Sequence, residues 1–182
     1  MTQTDNIKLS LSELDRLSPE EFKSQQKLPI IIVLDNIRSL YNIGSVFRSA
    51  DAFLIEAIYL CGITAQPPHR EIQKTALGAT DTVHWQYFEN THDAIKSLQQ
   101  HQYKIYSVEQ TTNSILLQNL TLNVNDKIAL VFGNEVNGVD QDIINQSNAV
   151  IEIPQFGSKH SFNIAVSAGI VMWEVYKKLK IN

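Results

Sequence analysis

Three short stretches concentrate polar side chains of the kinds that hold a reactant and stabilise developing charge. The stretches are "YNIGSVFR", "FGNEVNGVD" and "PQFGSKHSFN". Between them they supply two amides, a guanidinium, a carboxylate and a hydroxyl, on Asn42, Asn163, Arg48, Glu135 and Ser161. Glu135 follows a strand-like run and lies between glycines, which is more typical of a residue that binds something than of a solvated surface charge.

Each stretch also has a purely structural interpretation. Asn42 is well placed to cap the helix that follows it, which would leave Arg48 as an ordinary exposed arginine. Gly44 lets either a ligand or another backbone approach closely. Ser158 or Ser161 could cap the last helix, where the first amide groups have no partner within the helix. These alternatives stay open at the level of single motifs.

Several common chemistries have no signature in this chain. It contains no G-x-G-x-x-G, no G-x-x-x-x-G-K-[ST], no H-E-x-x-H and no G-x-S-x-G motif. The five histidines are scattered without the spacing of metal ligands, and the single Cys61 forms neither an internal disulfide nor a cysteine cluster. We therefore expect no metal cofactor.

The elements that must position the three stretches alternate between strand and helix. Strand-like runs cover 28–36, 56–62, 82–88, 103–110, 127–135 and 149–154, and helical patterns cover 42–53, 69–79, 90–102, 139–147 and 161–180. This alternation predicts an α/β fold with a mostly parallel sheet flanked by helices. Ligands of such sheets bind beyond the carboxyl ends of the strands, where the three stretches lie.

Length and composition predict one ordinary globular domain. The chain has 182 residues, 43% of them hydrophobic, and a net charge of −4. Residues 1–27 are interpreted as an N-terminal helical extension, with Ser18 and Glu21 in capping-box order, and residues 28–182 as the main domain. The N-terminus lacks a signal-peptide pattern and no segment is suited to span a membrane, so we expect a cytoplasmic protein.

The acidic net charge gives no general attraction to nucleic acid, so any RNA contact must use a local basic patch. Candidate residues for this patch are Arg38, Arg70, Lys74 and Lys159. If their loops share one edge of the sheet, they could contact phosphates and position an RNA without reading its sequence.

Taken together and in order, the three stretches resemble the motifs of the SpoU family, the ribose 2′-O-methyltransferases of the SPOUT superfamily. The resemblance runs over residues 30–174. It implies a trefoil knot near the C-terminus, a homodimer and S-adenosylmethionine as cofactor. Carried over by position, the family's catalytic residues fall on Asn42, Arg48, Glu135, Ser161 and Asn163. Its cofactor contacts fall on Glu109, Gln110, Thr111, Gly133, Ile153 and Phe162.

The resemblance therefore implies methyl transfer to an RNA ribose 2′-hydroxyl, with tRNA favoured over rRNA because only a short extension accompanies the domain. Two alternatives remain: a SPOUT enzyme that methylates a base nitrogen, and a non-catalytic RNA-binding relative. In the family, the arginine matching Arg48 is credited with activating the hydroxyl; a fixed guanidinium that stabilises the alkoxide is the other possibility. The helix over 161–180 is apolar nearly all round, which predicts a partner subunit against one face.

Overall fold

A single seven-stranded sheet forms the centre of the molecule. The structure is a computed structural model that describes residues 6–159 and 161–180. The strands are β1 (Leu28–Asp35), β2 (Ile55–Cys61), β3 (His84–Phe88), β4 (Lys104–Val108), β5 (Ile115–Leu116), β6 (Ile128–Phe132) and β7 (Ala149–Glu152).

All strand pairs are parallel, and the strand order is β3-β2-β1-β6-β4-β7-β5. The predicted α/β class is therefore confirmed, and six of the strands coincide with predicted runs. Sequence patterns missed β5, because two residues are too short to show periodicity. Since every strand is parallel, the carboxyl ends of all seven lie along one edge of the sheet.

Seven helices cover the two faces of the sheet within the described residues. They are α1 (Pro19–Ser24), α2 (Leu40–Ala52), α3 (Arg70–Ala76), α4 (Ala79–Thr82), α5 (Thr91–Gln100), α6 (Gln141–Gln146) and α7 (Ile164–Lys180). Short 3₁₀ turns occupy Leu11–Glu13 and Leu117–Asn119. None of the helices in this part of the chain has the length and apolar character needed to cross a bilayer.

Strand β1 shows how one apolar run builds two cores. Ile30, Ile32 and Leu34 join a cluster that includes side chains of α1, α2, α3, α4 and α7. Ile31 and Val33 point the other way and join the cluster under α5 and α6. A run that is apolar at every position is the pattern of a strand buried on both faces, as predicted.

Two helix starts differ from the predicted caps, and at α2 the difference leaves the Asn42 side chain available to the site. Helix α2 is capped by Ser39, whose Oγ accepts a hydrogen bond from the Asn42 amide at 3.3 Å, so the prediction that Asn42 caps this helix is wrong. At α7 the cap is Asn163, whose Oδ1 accepts from the Ala165 amide at 2.9 Å, rather than Ser158 or Ser161. The capping box predicted from Ser18 is present at α1.

Gly44 serves the contact between α2 and α3. A Cβ at this position would lie 2.2 Å from both Ile72 O and Thr75 Oγ1. Of the two roles considered for this glycine, close approach of another backbone is therefore the one observed. The predicted single helix over 69–79 is instead two helices, because Leu77 and Gly78 adopt positive φ angles of 49° and 90°.

Candidate active site

An open cleft of about 780 Å³ lies at the carboxyl edge of the sheet. It is formed by the segments that follow β4, β6 and β7 and by the start of α7. Its volume is in the range of small-molecule and cofactor sites. Its lining includes Glu109, Gln110, Thr111, Gly133, Glu135, Glu152, Ile153, Ser161, Phe162 and Asn163.

The lining combines apolar walls with negative charge. Val108, Phe132 and Ile153 at the strand ends contribute apolar surface. Three carboxylates, those of Glu109, Glu135 and Glu152, also line the cleft, whereas its described lining includes no lysine or arginine. The cleft therefore favours a ligand that is partly apolar and carries positive charge.

Glu135 is fixed by amides at the start of α2. Its carboxylate accepts hydrogen bonds from the backbone amides of Arg38 at 3.1 Å and Ser39 at 3.2 Å, and from Asn42 Nδ2 at 3.2 Å. Partial burial raises the pKa of Glu135, but these bonds outweigh burial and the net shift is downward. Glu135 is therefore ionised at neutral pH and is a weak proton acceptor there.

Asn42 connects the first stretch to the third. While its Nδ2 donates to Glu135, its Oδ1 accepts a hydrogen bond from Asn163 Nδ2 at 3.1 Å. Each amide NH₂ group carries two hydrogens, so Asn42 and Asn163 both keep a second N–H beyond these two bonds. The row Glu135–Asn42–Asn163 thus joins residues 121 positions apart and retains donors for an oxygen atom of a bound molecule.

The other two predicted catalytic residues are placed differently. Ser161 is exposed and lines the cleft, two residues before the α7 cap. Arg48 is exposed on α2, six residues beyond Asn42, which is about 9 Å along a helix axis. Among the described residues, Arg48 is not one of those that line the cleft. The structure therefore brings four of the five residues to the cleft or to its hydrogen-bonded border.

All six predicted cofactor residues line the same cleft. Glu109, Gln110 and Thr111 follow β4, Gly133 follows β6, Ile153 follows β7, and Phe162 precedes α7. The Glu109 carboxylate is itself engaged, since it accepts from the Val139 amide at 3.1 Å and from the Gln110 amide at 2.8 Å.

The predicted basic residues follow β1, β2 and β7: Arg38 and Lys159 lie on loops, Arg70 begins α3, and Lys74 lies in the last turn of that helix. Arg38, Arg70 and Lys159 are exposed. Lys74 forms an ion pair with Glu71 at 2.8 Å, so its charge is partly compensated, and Glu71 also accepts a hydrogen bond from the Tyr41 hydroxyl. His160, which follows Lys159 in the sequence, falls outside the described residues.

Sequence reasoning missed several residues that shape the site. Asn134 orders the loop after β6, because its Nδ2 donates to Asn36 O at 2.7 Å and its Oδ1 accepts from the Val136 amide at 2.8 Å. Glu152 lines the cleft and accepts a hydrogen bond from Ser114 Oγ. The position of Glu152 at the end of a predicted strand was the only available signal. In the described part of the chain, no group of three or more His, Cys, Asp or Glu side chains is arranged to hold a metal ion.

Comparison with known proteins places this arrangement in a family. An uncharacterized tRNA/rRNA methyltransferase of Borreliella burgdorferi is 29% identical over 183 residues, which covers 100% of this chain and 77% of the relative. The tRNA (guanosine(18)-2′-O)-methyltransferase of the same organism is 26% identical over 151 residues, covering 83% of this chain and 67% of that protein.

A solved structure has the same fold. The AdoMet-bound rRNA methyltransferase from Sinorhizobium meliloti superposes with a TM-score of 0.77 at 25% identity, over 92% of this chain and 62% of that one. The present chain thus spans about three fifths of that protein. The model of the SpoU rRNA Methylase family matches residues 29–173, which include the cleft, the row Glu135–Asn42–Asn163 and all but the last turns of α7. The chain therefore belongs to the SpoU rRNA Methylase family.

Proposed function

We propose that this protein is an S-adenosylmethionine-dependent RNA methyltransferase that modifies a ribose 2′-hydroxyl. The observation that carries the proposal is the row Glu135–Asn42–Asn163 at the border of the cleft. It places free amide donors beside a cofactor-sized space, which is the arrangement needed to hold an acceptor oxygen near a bound methyl donor.

The cleft residues fit this cofactor. Bound S-adenosylmethionine supplies a methyl group on a positively charged sulfonium. The carboxylates of Glu109, Glu135 and Glu152 give the cleft the opposite charge, and Val108 and Ile153 offer apolar surface to a nucleobase. Gly133 and Phe162 also line this space.

The chain's own residues contribute mainly by positioning. A 2′-hydroxyl is a poor nucleophile, so orientation of the acceptor is a large part of the catalytic task and can supply about 7–11 kcal/mol. The second N–H groups of Asn42 and Asn163 are suited to hold the ribose. Glu135, whose pKa is lowered, keeps Asn42 in one orientation and does not take the proton at neutral pH.

Arg48 is the proposed stabiliser of charge on the 2′-oxygen. A guanidinium is a hydrogen-bond donor without an acceptor site, so the proposed contribution is electrostatic rather than that of a base. Arg48 lies outside the cleft lining, on an exposed face of α2. An RNA bound across α2 would meet this side chain while the ribose enters the cleft.

We further propose a homodimer built on α7. Three large apolar side chains of this helix are exposed, with Val166 at 50%, Ile170 at 37% and Trp173 at 47% of their surface. A methyl group added to Gly169 would meet no atom within 4 Å, so a backbone or side chain of a second copy has room there. Because α7 begins at Asn163, such an interface adjoins the site.

The path of the chain through the sheet bears on the knot that the family resemblance implies. The chain leaves β4 for the edge strand β5, crosses back to β6, and then inserts β7 between β4 and β5. This order supports a trefoil knot around the cleft.

Residues 1–27 are proposed to be an extension of the 28–182 domain, docked through Phe22, which is 5% exposed and belongs to the larger core.

We favour tRNA as the substrate over rRNA. The exposed cations Arg38, Arg70 and Lys159 follow different strands but share the carboxyl edge of the sheet, where they offer phosphate contacts. A tRNA is a small folded RNA with accessible loop nucleotides, so a few phosphate contacts are enough to orient it. The relatives include enzymes named for each RNA class.

Calorimetry and a transfer assay test the proposal. Titration with S-adenosylmethionine should give one site per subunit, and the protein should transfer labelled methyl to a purified tRNA pool more rapidly than to ribosomal RNA. Absence of binding heat at saturating cofactor would contradict the assigned cofactor. Transfer to ribosomal RNA alone would overturn the tRNA preference, and binding without transfer to either pool would support the non-catalytic alternative.

A further inference from the structure

Glu109 makes contacts that set it apart from the rest of the cleft lining. It follows β4, yet its carboxylate reaches the loop after β6, where Oε2 accepts from the Val139 amide at 3.1 Å. Its Oε1 accepts from the Gln110 amide at 2.8 Å, which fixes the direction of the side chain. One carboxylate therefore ties together two loops that are about thirty residues apart in sequence.

The loop after β6 is built so that this carboxylate can reach it. A Cβ at Gly138 would lie 2.2 Å from Glu109 Oε2, and the φ of this glycine is +71°. A Cβ at Gly133 would lie 2.0 Å from the Gly138 carbonyl carbon. Close approach of the Gly138 backbone thus requires glycine at position 133, whereas the positive φ favours glycine at position 138. The space beside Gly138 is occupied by the Glu109 side chain.

The same loop carries Glu135. Two backbone hydrogen bonds between Asn134 and Gly138, of 3.0 Å and 2.9 Å, close the loop into a small hairpin with Glu135 inside it. The Glu135 carboxylate then holds the amides of Arg38 and Ser39 and the side chain of Asn42. Hydrogen bonds at Val139, across the hairpin and at Glu135, linked by the backbone of residues 134–139, therefore connect Glu109 to the start of α2.

We propose that Glu109 is a positioning residue that sets the place of Glu135, and through it Asn42, by holding the hairpin 134–138 from the cofactor side of the cleft. This inference rests on the proposed function for its kinetic consequences but not for its structural ones. It assigns to Glu109 a role distinct from contact with the cofactor, and it makes the acceptor side of the site depend on a residue that follows β4.

Residue-resolved hydrogen–deuterium exchange tests the positioning directly. In Glu109→Ala the Val139 amide should exchange about tenfold faster, the factor expected for loss of one hydrogen bond to a charged group. The Arg38 and Ser39 amides, which contact Glu135 and not Glu109, should also exchange faster. Glu109→Gln keeps one acceptor oxygen, so it should fold normally and show a smaller change at the same amides.

Glu152→Gln is the matched control, because it removes another carboxylate from the same cleft without touching the hairpin. It should leave exchange at Val139, Arg38 and Ser39 as in the wild type. An equal increase in the exchange rates of these amides in Glu152→Gln would show a general effect of cleft charge and overturn the proposal. Unchanged exchange at Arg38 and Ser39 in both Glu109 variants would overturn it as well.

A double-mutant cycle with Glu135→Gln supplies the kinetic test. If Glu109 acts through Glu135, Glu109→Ala should lower kcat by about 10–10²-fold when Glu135 is intact. This is the loss typical of a small misplacement of a reacting group. The same change should have much less effect once Glu135 is replaced, whereas residues that act separately give multiplicative losses. Multiplicative losses would refute the positioning role. If the wild type shows no methyl transfer, the proposed function fails, and the exchange comparison still decides the role of Glu109.

Discussion

Replacing Asn42 with aspartate probes the centre of the site with almost no change in shape. Asn42 Nδ2 lies 3.2 Å from Glu135 Oε1, so Asn42→Asp substitutes an oxygen for the donor and sets two carboxylates against each other. The bond from Asn163 to Oδ1 is retained. The expected result is a loss of stability at neutral pH that decreases as the solution becomes more acidic.

The magnitude follows from the geometry. Two unit charges 3.2 Å apart repel by about 1 kcal/mol at the dielectric constant of water and about 5 kcal/mol at an effective value of 20. Glu135 is exposed, so the lower end applies, and loss of the Asn42 hydrogen bond adds about 1 kcal/mol. A carboxylate in the first turn of α2 regains about 0.5 kcal/mol from the helix dipole. We expect a net loss of about 1–2 kcal/mol at pH 7.

The pH dependence has a definite sign. Repulsion raises the folded-state pKa of the new carboxyl pair above its unfolded values, so the folded variant binds a proton more readily and recovers stability as the pH falls. In the wild type the pKa of Glu135 lies below its ordinary 4.5, so the stability that it contributes is present above 4.5 and is lost as the pH falls through the folded value. Both effects reduce the difference in unfolding free energy between the variant and the wild type as the pH falls.

Urea unfolding at fixed protein concentration, at pH 7 and pH 4, measures this difference in unfolding free energy. Asn42→Ala is the control, since it removes both hydrogen bonds without adding charge and should show little change between the two pH values. Adding Glu135→Gln to Asn42→Asp should restore part of the stability, because a donor then faces the new carboxylate. An Asn42→Asp protein as stable as the wild type at pH 7, or a loss that does not respond to pH, would refute the contact.

Three further outcomes are expected. Arg48→Ala should lower the rate of single-turnover methyl transfer by about 10²–10³-fold and leave cofactor affinity unchanged. Lys74→Ala should instead weaken RNA binding and leave the transfer rate at saturating RNA unchanged. Comparable transfer rates for the two variants would contradict the role of Arg48. Ile170→Glu places a charge on the exposed face of α7 and should convert the dimer into monomers, which sedimentation would detect. A wild-type protein that sediments as a monomer at micromolar concentration would refute the dimer. Gly44→Ala should cost about 1–3 kcal/mol in thermal unfolding, because its methyl would meet Ile72 O at 2.2 Å, and an unchanged Tm would contradict this packing.

Much of the architecture was predictable because it depends on local pattern. The largely apolar run 28–36 predicts a strand buried on both faces, and the observed β1 joins both cores. The capping box at Ser18 marks the start of α1 as predicted. The sequence analysis considered only Asn42 as the cap of α2. Serine is an equally good cap, and the fold shows that Ser39 caps the helix while Asn42 faces the site.

The contacts that define the candidate site were not predictable, because they join residues far apart in the chain. The motif resemblance named Glu135 and Asn163, but not that both would bond to Asn42. Glu109 was predicted as a cofactor contact, and its bond to Val139 comes from the packing of two loops. The resemblance assigned Arg48 to the catalytic set, but it did not indicate that this residue lies on α2 outside the cleft lining.

The position of the transferred methyl group tests the central claim most directly. The protein is incubated with S-adenosylmethionine labelled with deuterium on the methyl group and with purified tRNA, and the digested nucleosides are fragmented by mass spectrometry. Fragmentation separates ribose from base, so the two locations give different products. We predict that the label lies on the ribose fragment of a single nucleotide and is lost in Asn42→Ala. Label on the base fragment would contradict a 2′-hydroxyl acceptor, and equal labelling by Asn42→Ala would contradict the row Glu135–Asn42–Asn163 as the site that holds it.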